Sequence, residues 1–247
     1  MTAHGARQRL YEIVRKDTPF EKKTQEALEL GKQYLNADNG HLTQIDQETD
    51  HWEAIVSTDG ATGQFPTGLE LDLQTTYCRR TLTEPASIAL HDVPNQGLAD
   101  DPAFDAHELH CYHGTTLMVN GDPFGTVCFV AEDPREEHFS DGETMFAELL
   151  TRMLERELER KQHQAELQRQ TNLSAVLNRI LRHNFRNKMS VIRGFIELLA
   201  EEVEENQYST TALDNIDSLI SLSEKARELD RFIATDFERK PTEIVAL

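Results

Sequence analysis

From Ser140 to about Glu205 the chain contains no proline. Proline ends or kinks a helix, because it lacks an N–H and its ring crowds the preceding turn. This interval can therefore run as one long helix. Residues 5–140 read differently, as short helices alternating with β-type runs. The switch near residue 140 divides the chain into two parts, and 247 residues suit one and a half to two domains. No internal repeat or low-complexity tract interrupts either part.

The first part opens with two helical stretches. Asp17-Thr18-Pro19 can cap and start the second, which runs to about Leu35 with Leu28, Leu30 and Leu35 available for burial. Asn39-Gly40 is expected to break it. His41–Gln47 and Trp52–Thr58 read as strands, Leu69–Leu73 as a short third, Gln74–Leu82 as a short helix and Ser87–His91 as another strand. Asn95–Asp105 reads as a loop. Thr115–Asn120 and Gly125–Ala131, joined through Gly121-Asp122-Pro123, carry the strongest hairpin signal, with Asn-Gly at the turn. The expectation is an α+β domain: an antiparallel sheet flanked by helices.

The second part starts on a capping-box pattern, Ser140-Asp141-Gly142-Glu143. Phe146, Leu149, Leu150, Met153 and Leu154 form a helical stripe. The stripe thins between Glu155 and Gln170, where either a polar two-stranded coiled coil or a solvated single helix fits. Apolar density returns from Leu173 through Val203. After a turn at Asn206 to Thr210, a second helix carries Leu213, Ile216, Leu219, Ile220, Ala226, Leu229, Ile233 and Phe237, and Pro241 lies past its end. Two helices with a short connection make an antiparallel hairpin. One hairpin leaves apolar faces open, and dimerisation into a four-helix bundle would close them.

Charge excludes some partners. Asp and Glu number 44 against 25 Lys and Arg, a net charge of −19, which repels nucleic acid and anionic membrane at long range. Carboxylate excess with few lysines also fits a halophilic protein, although an ordinary acidic protein has the same sign. No run approaches the ~18 apolar residues of a membrane span, and no apolar signal core opens the chain, so a cytoplasmic location is expected. Cys78, Cys111 and Cys128 cannot all pair, which fits a reducing compartment.

One site stands out in the helical part. With Leu177 at zero on a wheel of about 100° per residue, Leu181, Val191, Phe195, Leu198 and Leu199 fall within roughly 60° of it. His183 lies roughly 120° away, reachable by another molecule, with Asn187 one turn on along the same flank and Arg186 further outward. Arg179, Arg182, Arg186, Lys188 and Arg193 are all basic, and no acidic residue occurs between Arg179 and Ile196. A cationic rim around an exposed imidazole suits a phosphoryl group, and neutral imidazole is a nucleophile near pH 7. An ordinary surface histidine beside a solvated basic face is the alternative.

The run Leu181-Arg182-His183-Asn184-Phe185-Arg186-Asn187-Lys188-Met189, followed by Val191-Ile192-Arg193-Gly194-Phe195, resembles the phosphoacceptor box of sensor histidine kinases, particularly the haloarchaeal type. The resemblance covers about 170–240. It implies that His183 accepts the γ-phosphoryl of ATP and passes it to an aspartate of a response regulator. It also implies that Asn187 orients phosphoryl or water, with Arg186 adding electrostatic support. Asn184 departs from the Glu or Asp that often follows the histidine and cannot act as a base. Lys188 stands where the family often has proline.

Residues 20–155 resemble a GAF domain through Thr76-Tyr77-Cys78-Arg79, Leu90-His91-Asp92-Val93, Cys111-Tyr112-His113-Gly114-Thr115-Thr116-Leu117, Gly125-Thr126-Val127-Cys128-Phe129 and Asp133-Pro134-Arg135. This implies a six-stranded antiparallel sheet with a ligand-sized cavity, for which Cys78, Cys111 and Tyr112 are candidate lining residues. The ligand itself is not readable. His107, His110, Cys111 and His113 lie close in sequence but do not form a paired metal motif, and no metal is assigned.

Together the resemblances divide the chain into a GAF-like sensor at 5–140, a helical coiled-coil linker at 141–172, a dimerisation and histidine-phosphotransfer hairpin at 173–239, and the start of a linker at 240–247. The ATP-binding catalytic domain, with its ATP and Mg, would then lie outside this chain, so the chain alone is expected to be inactive as a kinase. The implied partners are a second copy, a kinase catalytic domain and a response-regulator receiver domain. The alternative is a non-catalytic GAF module that binds a small molecule, dimerises and regulates a partner.

Overall fold

The computed structural model describes residues 1–84, 87–202, 210–222 and 224–225. The expected turn at 206–209, the later positions Ala226, Leu229, Ile233 and Phe237, and the segment 240–247 lie outside the described residues. The chain forms two compact units, Met1–Ala165 and Glu166–Leu247.

The first unit begins with α1 (Ala3–Arg15) and α2 (Phe20–Leu35). The Asp17-Thr18 cap does not form: Pro19 is the capping position of α2, with no side-chain bond. The helix ends at Leu35 as expected, but the stop is Asn36, which takes a left-handed conformation (φ 52°). Asn39 and Gly40 instead open the first strand. The short side chain of Asn tolerates that backbone and so serves as a stop.

Six strands follow: β1 (Asn39–Asp46), β2 (His51–Ser57), β3 (Glu70–Asp72), β4 (Ile88–Leu90), β5 (Cys111–Val119) and β6 (Asp122–Ala131). They form one antiparallel sheet in the order β3-β2-β1-β6-β5-β4. Val119 pairs with Asp122 across Asn120 and Gly121, whose φ angles are 54° and 91°. Two consecutive positive φ angles match the twist of the flanking strands and suit Asn-Gly. The segment read as loop at Asn95–Asp105 holds a wide turn at Pro94–Leu98 and a short helix, α4 (Pro102–His107), whose cap Asp101 accepts from the Ala103 N–H. Another short helix, α3 (Cys78–Thr81), replaces the longer one expected.

The sheet is buried on both faces. Val127 and Phe129 of β6 face a core built with Leu10, Leu28, Leu35, Phe146, Leu150 and Leu154. Cys128 and Val130, the alternate positions, face a second core with Trp52, Phe65, Tyr77 and Tyr112. Strand side chains alternate between faces, so β1, β2, β5 and β6 each feed both cores.

The long helix α5 (Asp141–Glu202) starts on the expected capping box: Ser140 N–H donates to Glu143 Oε2 at 2.8 Å and Glu143 N–H to Ser140 Oγ at 3.3 Å. Its early turns belong to the first core rather than to a linker. Phe146, Leu150, Leu154 and Leu158 are buried, Leu149 is exposed, and Lys23 of α2 pairs with Glu157 at 2.8 Å. Residue 140 therefore marks the start of α5, not the edge of the compact unit.

In the second unit, residues 210–222 form a helix against α5. Arg193 reaches Asp217 at 2.6 Å and Arg186 reaches Glu224 at 3.4 Å. Moving seven residues down one helix moves seven up the other, the signature of antiparallel packing. Ile216 is buried in this pair.

Candidate functional site

Two groups of side chains have the arrangement of a site. The first lies in the second core of the sheet domain. Cys78 opens α3, Cys128 and Thr126 share one face of β6, and Tyr112 rises from β5 beside them. The Trp52 indole N–H donates to Cys78 Sγ at 3.2 Å, and the Thr126 hydroxyl donates to the same sulfur at 3.2 Å. The Tyr112 hydroxyl lies 3.7 Å from Cys78 Sγ, 3.4 Å from Cys128 Sγ and 2.6 Å from Thr81 Oγ1. The two sulfurs stand 3.5 Å apart, unbonded. All these side chains are buried.

An indole N–H can only donate, which fixes Cys78 Sγ as an acceptor. Burial pushes its thiol up, but the bonds from Cys128, Thr126, Trp52 and Tyr112 stabilise the anion and together bring it below the ordinary thiol range. Cys128 moves the other way, raised by burial and by its neighbour Cys78. Cys78 is thus the member of the pair that ionises first. Burial also raises the Tyr112 phenol, so it remains a neutral donor.

Of the three cavity candidates, the structure joins Cys78 with Tyr112 and separates Cys111. The adjacent position on β5 points to the opposite face. There the Cys111 thiol donates to the carbonyls of His91 (3.0 Å) and Asp133 (3.2 Å), and burial raises it. The neighbouring histidines disperse as well: His107 packs on Phe65, His110 on Phe104, and His113 lies against Phe139 and Thr144. Among the described residues no three metal-ligating side chains are grouped to hold an ion.

A cleft of about 660 Å³ lies elsewhere, lined in part by Glu84, Ser87, Thr115, Glu148 and Arg152. None of the three cavity candidates lines it. Sequence reading missed Trp52, Thr126 and Cys128 as partners of Cys78. The i, i+2 spacing of Thr126 and Cys128 on a strand was the available signal.

The second group is on α5. His183 is exposed, and the Asn187 amide nitrogen lies 3.4 Å from its Nδ1. Residues four apart on a helix meet in this way. The helix at 210–222 covers the other side of α5, where Arg186 and Arg193 pair and Met189 and Ile196 are half-buried. Arg186 therefore faces Glu224 rather than open solvent alone. Among the described residues nothing buries the stripe of Leu177, Leu181, Val191, Phe195 and Leu198, each being at least half exposed. No helix of the described residues is long and apolar enough to cross a membrane.

Comparison with known proteins places the sheet domain. Solved structures share the fold at low identity. The phycoerythrobilin-bound GAF domain of a cyanobacterial phytochrome matches with a TM-score of 0.54 and 10% identity, over 67% of this chain and 98% of that one. The photosensory core module of Stigmatella aurantiaca phytochrome matches with a TM-score of 0.55 and 12% identity, over 87% of this chain and 44% of that one. Free methionine-R-sulfoxide reductase from Neisseria meningitidis, in complex with its substrate, matches with a TM-score of 0.50 and 15% identity, over 64% and 92%. No curated protein matches. The model of the GAF domain matches residues 20–158, more than half of the chain. This chain belongs to the GAF domain family.

Proposed function

We propose that the chain is the signal-sensing and phosphoacceptor portion of a two-component sensor histidine kinase. The GAF domain binds a small molecule, and His183 takes the γ-phosphoryl group of ATP from a catalytic domain outside these 247 residues. It then passes that group to an aspartate of a response regulator. The observation that carries this reading is the exposed His183–Asn187 pair on a basic stretch of α5.

The geometry supplies the chemistry. In the first transfer an imidazole nitrogen bonds to the γ-phosphorus, and the bond to the bridging oxygen breaks as ADP leaves. The attacking nitrogen needs its lone pair, so the other nitrogen must hold the ring proton. With the Asn187 amide nitrogen toward Nδ1, that proton sits on Nε2. With the amide turned over, its oxygen accepts from Nδ1–H and Nε2 is free to attack. Asn187 thereby sets which nitrogen is nucleophilic, a task that Asn184 in the following position does not share. Arg179 and Lys188, both exposed, add positive charge for the phosphoryl oxygens.

The open Leu177–Leu198 stripe supports a homodimer. Paired hairpins would cover it as a four-helix bundle while leaving the His183 flank free. The helix that carries His183 is also the one whose early turns lie in the GAF core. A ligand-dependent change in that core would act on the same helix.

The test supplies the chain with an isolated catalytic domain of a haloarchaeal-type sensor kinase and labelled Mg-ATP, beside the His183→Gln variant. Label that is acid-labile and base-stable, present in the parent and absent from the variant, is the expected result. Absence of label from both proteins would leave a non-catalytic GAF module in place of a phosphoacceptor.

A further inference from the structure

The buried pair Cys78 and Cys128 has no part in phosphotransfer. Two thiols meet at 3.5 Å in the GAF core, from elements 50 residues apart in sequence, and three groups, Trp52, Thr126 and Tyr112, point donors at one of them. A pair held only for packing needs no such convergence, because a buried thiol is an adequate small apolar group on its own. We propose that Cys78 and Cys128 are a two-electron redox site that a small neutral peroxide oxidises to a disulfide.

The roles differ within the pair. Cys78 receives the Trp52 indole N–H and the Thr126 hydroxyl, so negative charge on its sulfur is solvated by fixed dipoles. Cys128 instead donates its thiol proton to Thr126 Oγ1 at 3.1 Å. Cys78 is accordingly the attacking sulfur and Cys128 the resolving one. The thiolate, not the thiol, attacks peroxide.

The steps balance. Cys78 sulfur bonds to one peroxide oxygen, the O–O bond breaks, and hydroxide leaves and is protonated to water. The Cys128 sulfur then attacks the Cys78 sulfur, the S–S bond forms, the S–O bond breaks, and a second water departs. Two electrons pass from the pair to the peroxide, and the two thiol protons end on the two waters. Peroxide suits the site because it is uncharged and close to water in size, and both sulfurs are at most 2% exposed.

Closing the pair draws the sulfurs from 3.5 Å to about 2.05 Å. The Cys78 anion is then gone, and Trp52, Thr126 and Tyr112 lose the charge they were directed toward. β6 lies between β1 and β5, so the change falls on the centre of the sheet.

Cys111 is the internal control. It lies on the opposite face of the sheet, its thiol is raised by burial, and it donates to two carbonyls. The experiment treats the reduced full-length chain with hydrogen peroxide, quenches, alkylates in denaturant and maps the peptides. The expected product carries a Cys78–Cys128 crosslink, has lost about 2 Da, keeps Cys111 as alkylated thiol, and reverts with a small dithiol. In a Cys128→Ser variant the oxidation should stop at Cys78 sulfenic acid, which dimedone captures. The fluorescence of Trp52, the one tryptophan of the chain, should change with the same time course as the crosslink. The proposal is overturned if Cys111 oxidises first, if Cys78 proceeds to sulfinic acid while Cys128 stays a thiol, or if both stay thiols under peroxide that oxidises free cysteine. The parent protein alone decides among these outcomes, so a variant that fails to fold does not obscure them.

Discussion

The two units of this chain treat apolar side chains in opposite ways. In the sheet domain Trp52, Tyr112, Phe129 and Phe146 are at most 2% exposed, and both sheet faces are covered from within the chain. In the helical unit Leu181 and Phe195 are 65% and 64% exposed, although their spacing is as regular as that of any core. Burial of such side chains is worth about 1.5–3 kcal/mol each. Among the described residues that stabilisation is not realised in the helical unit, and the proposed pairing of two hairpins would supply it. The difference teaches that the sheet domain covers its apolar faces from within the chain, whereas the helical unit keeps a stripe exposed, which is the feature the proposed dimer would use.

Glycine substitutions sharpen the contrast most strongly. Gly125 sits on β6 where β1 bulges between Leu42 and Thr43, and a Cβ there would lie 1.9 Å from the Thr43 carbonyl oxygen. Backbone cannot withdraw as a flexible side chain can. Gly125→Ala should destabilise the sheet domain by about 3 kcal/mol or more. Urea unfolding followed by Trp52 fluorescence measures this, and an unchanged midpoint would show that β1 and β6 are less closely joined than described.

Protonation gives the next largest effect. His41 is buried against Phe65, with Nδ1 2.6 Å from Asn39 Oδ1, and His113 is buried near Phe139. Burial pushes both imidazoles down to about 4. The unfolded chain binds these protons near pH 6.5, before the folded one does. Stability from the two rings is therefore complete above pH 6.5 and is lost as pH falls toward 4. The loss should reach roughly 3 kcal/mol per ring at the low end. The carboxylates of Asp101 and Glu143, held low by their arginine partners despite burial, release their share only in more acid solution. Urea midpoints between pH 7.5 and 4.5 test this, and His113→Gln should flatten the slope.

Local chemistry was the legible part of this molecule. The Asn120-Gly121 turn and the Ser140–Glu143 capping box are set by residues within four positions of one another, and each formed as expected. Propensity misled at one place: Pro102 after Asp101 started a helix inside a stretch rich in turn residues, whereas α2 ended at Leu35 as expected, with Asn36 as the stop. The thiol pair was hidden for another reason. Cys78 and Cys128 meet only because α3 packs on β6, a contact that no window of sequence contains. The same holds for Trp52, which reaches Cys78 from a third element.

The smallest effect has the opposite sign. Gly194 lies inside α5, and a Cβ built there meets nothing within 4 Å. Glycine in a helix interior loses more backbone freedom on folding than alanine does, by roughly 0.5–1 kcal/mol. Gly194→Ala should therefore stabilise the helical unit by up to about 1 kcal/mol. The exchange that damages the sheet domain at residue 125 would then strengthen the hairpin at residue 194. Thermal melting followed by helical circular dichroism should show a small upward shift in the second unit, with the Trp52 transition unmoved. A downward shift would mean that a partner's backbone fits closely against Gly194 in solution, which would place the association surface on the His183 flank instead of the Leu177–Leu198 stripe.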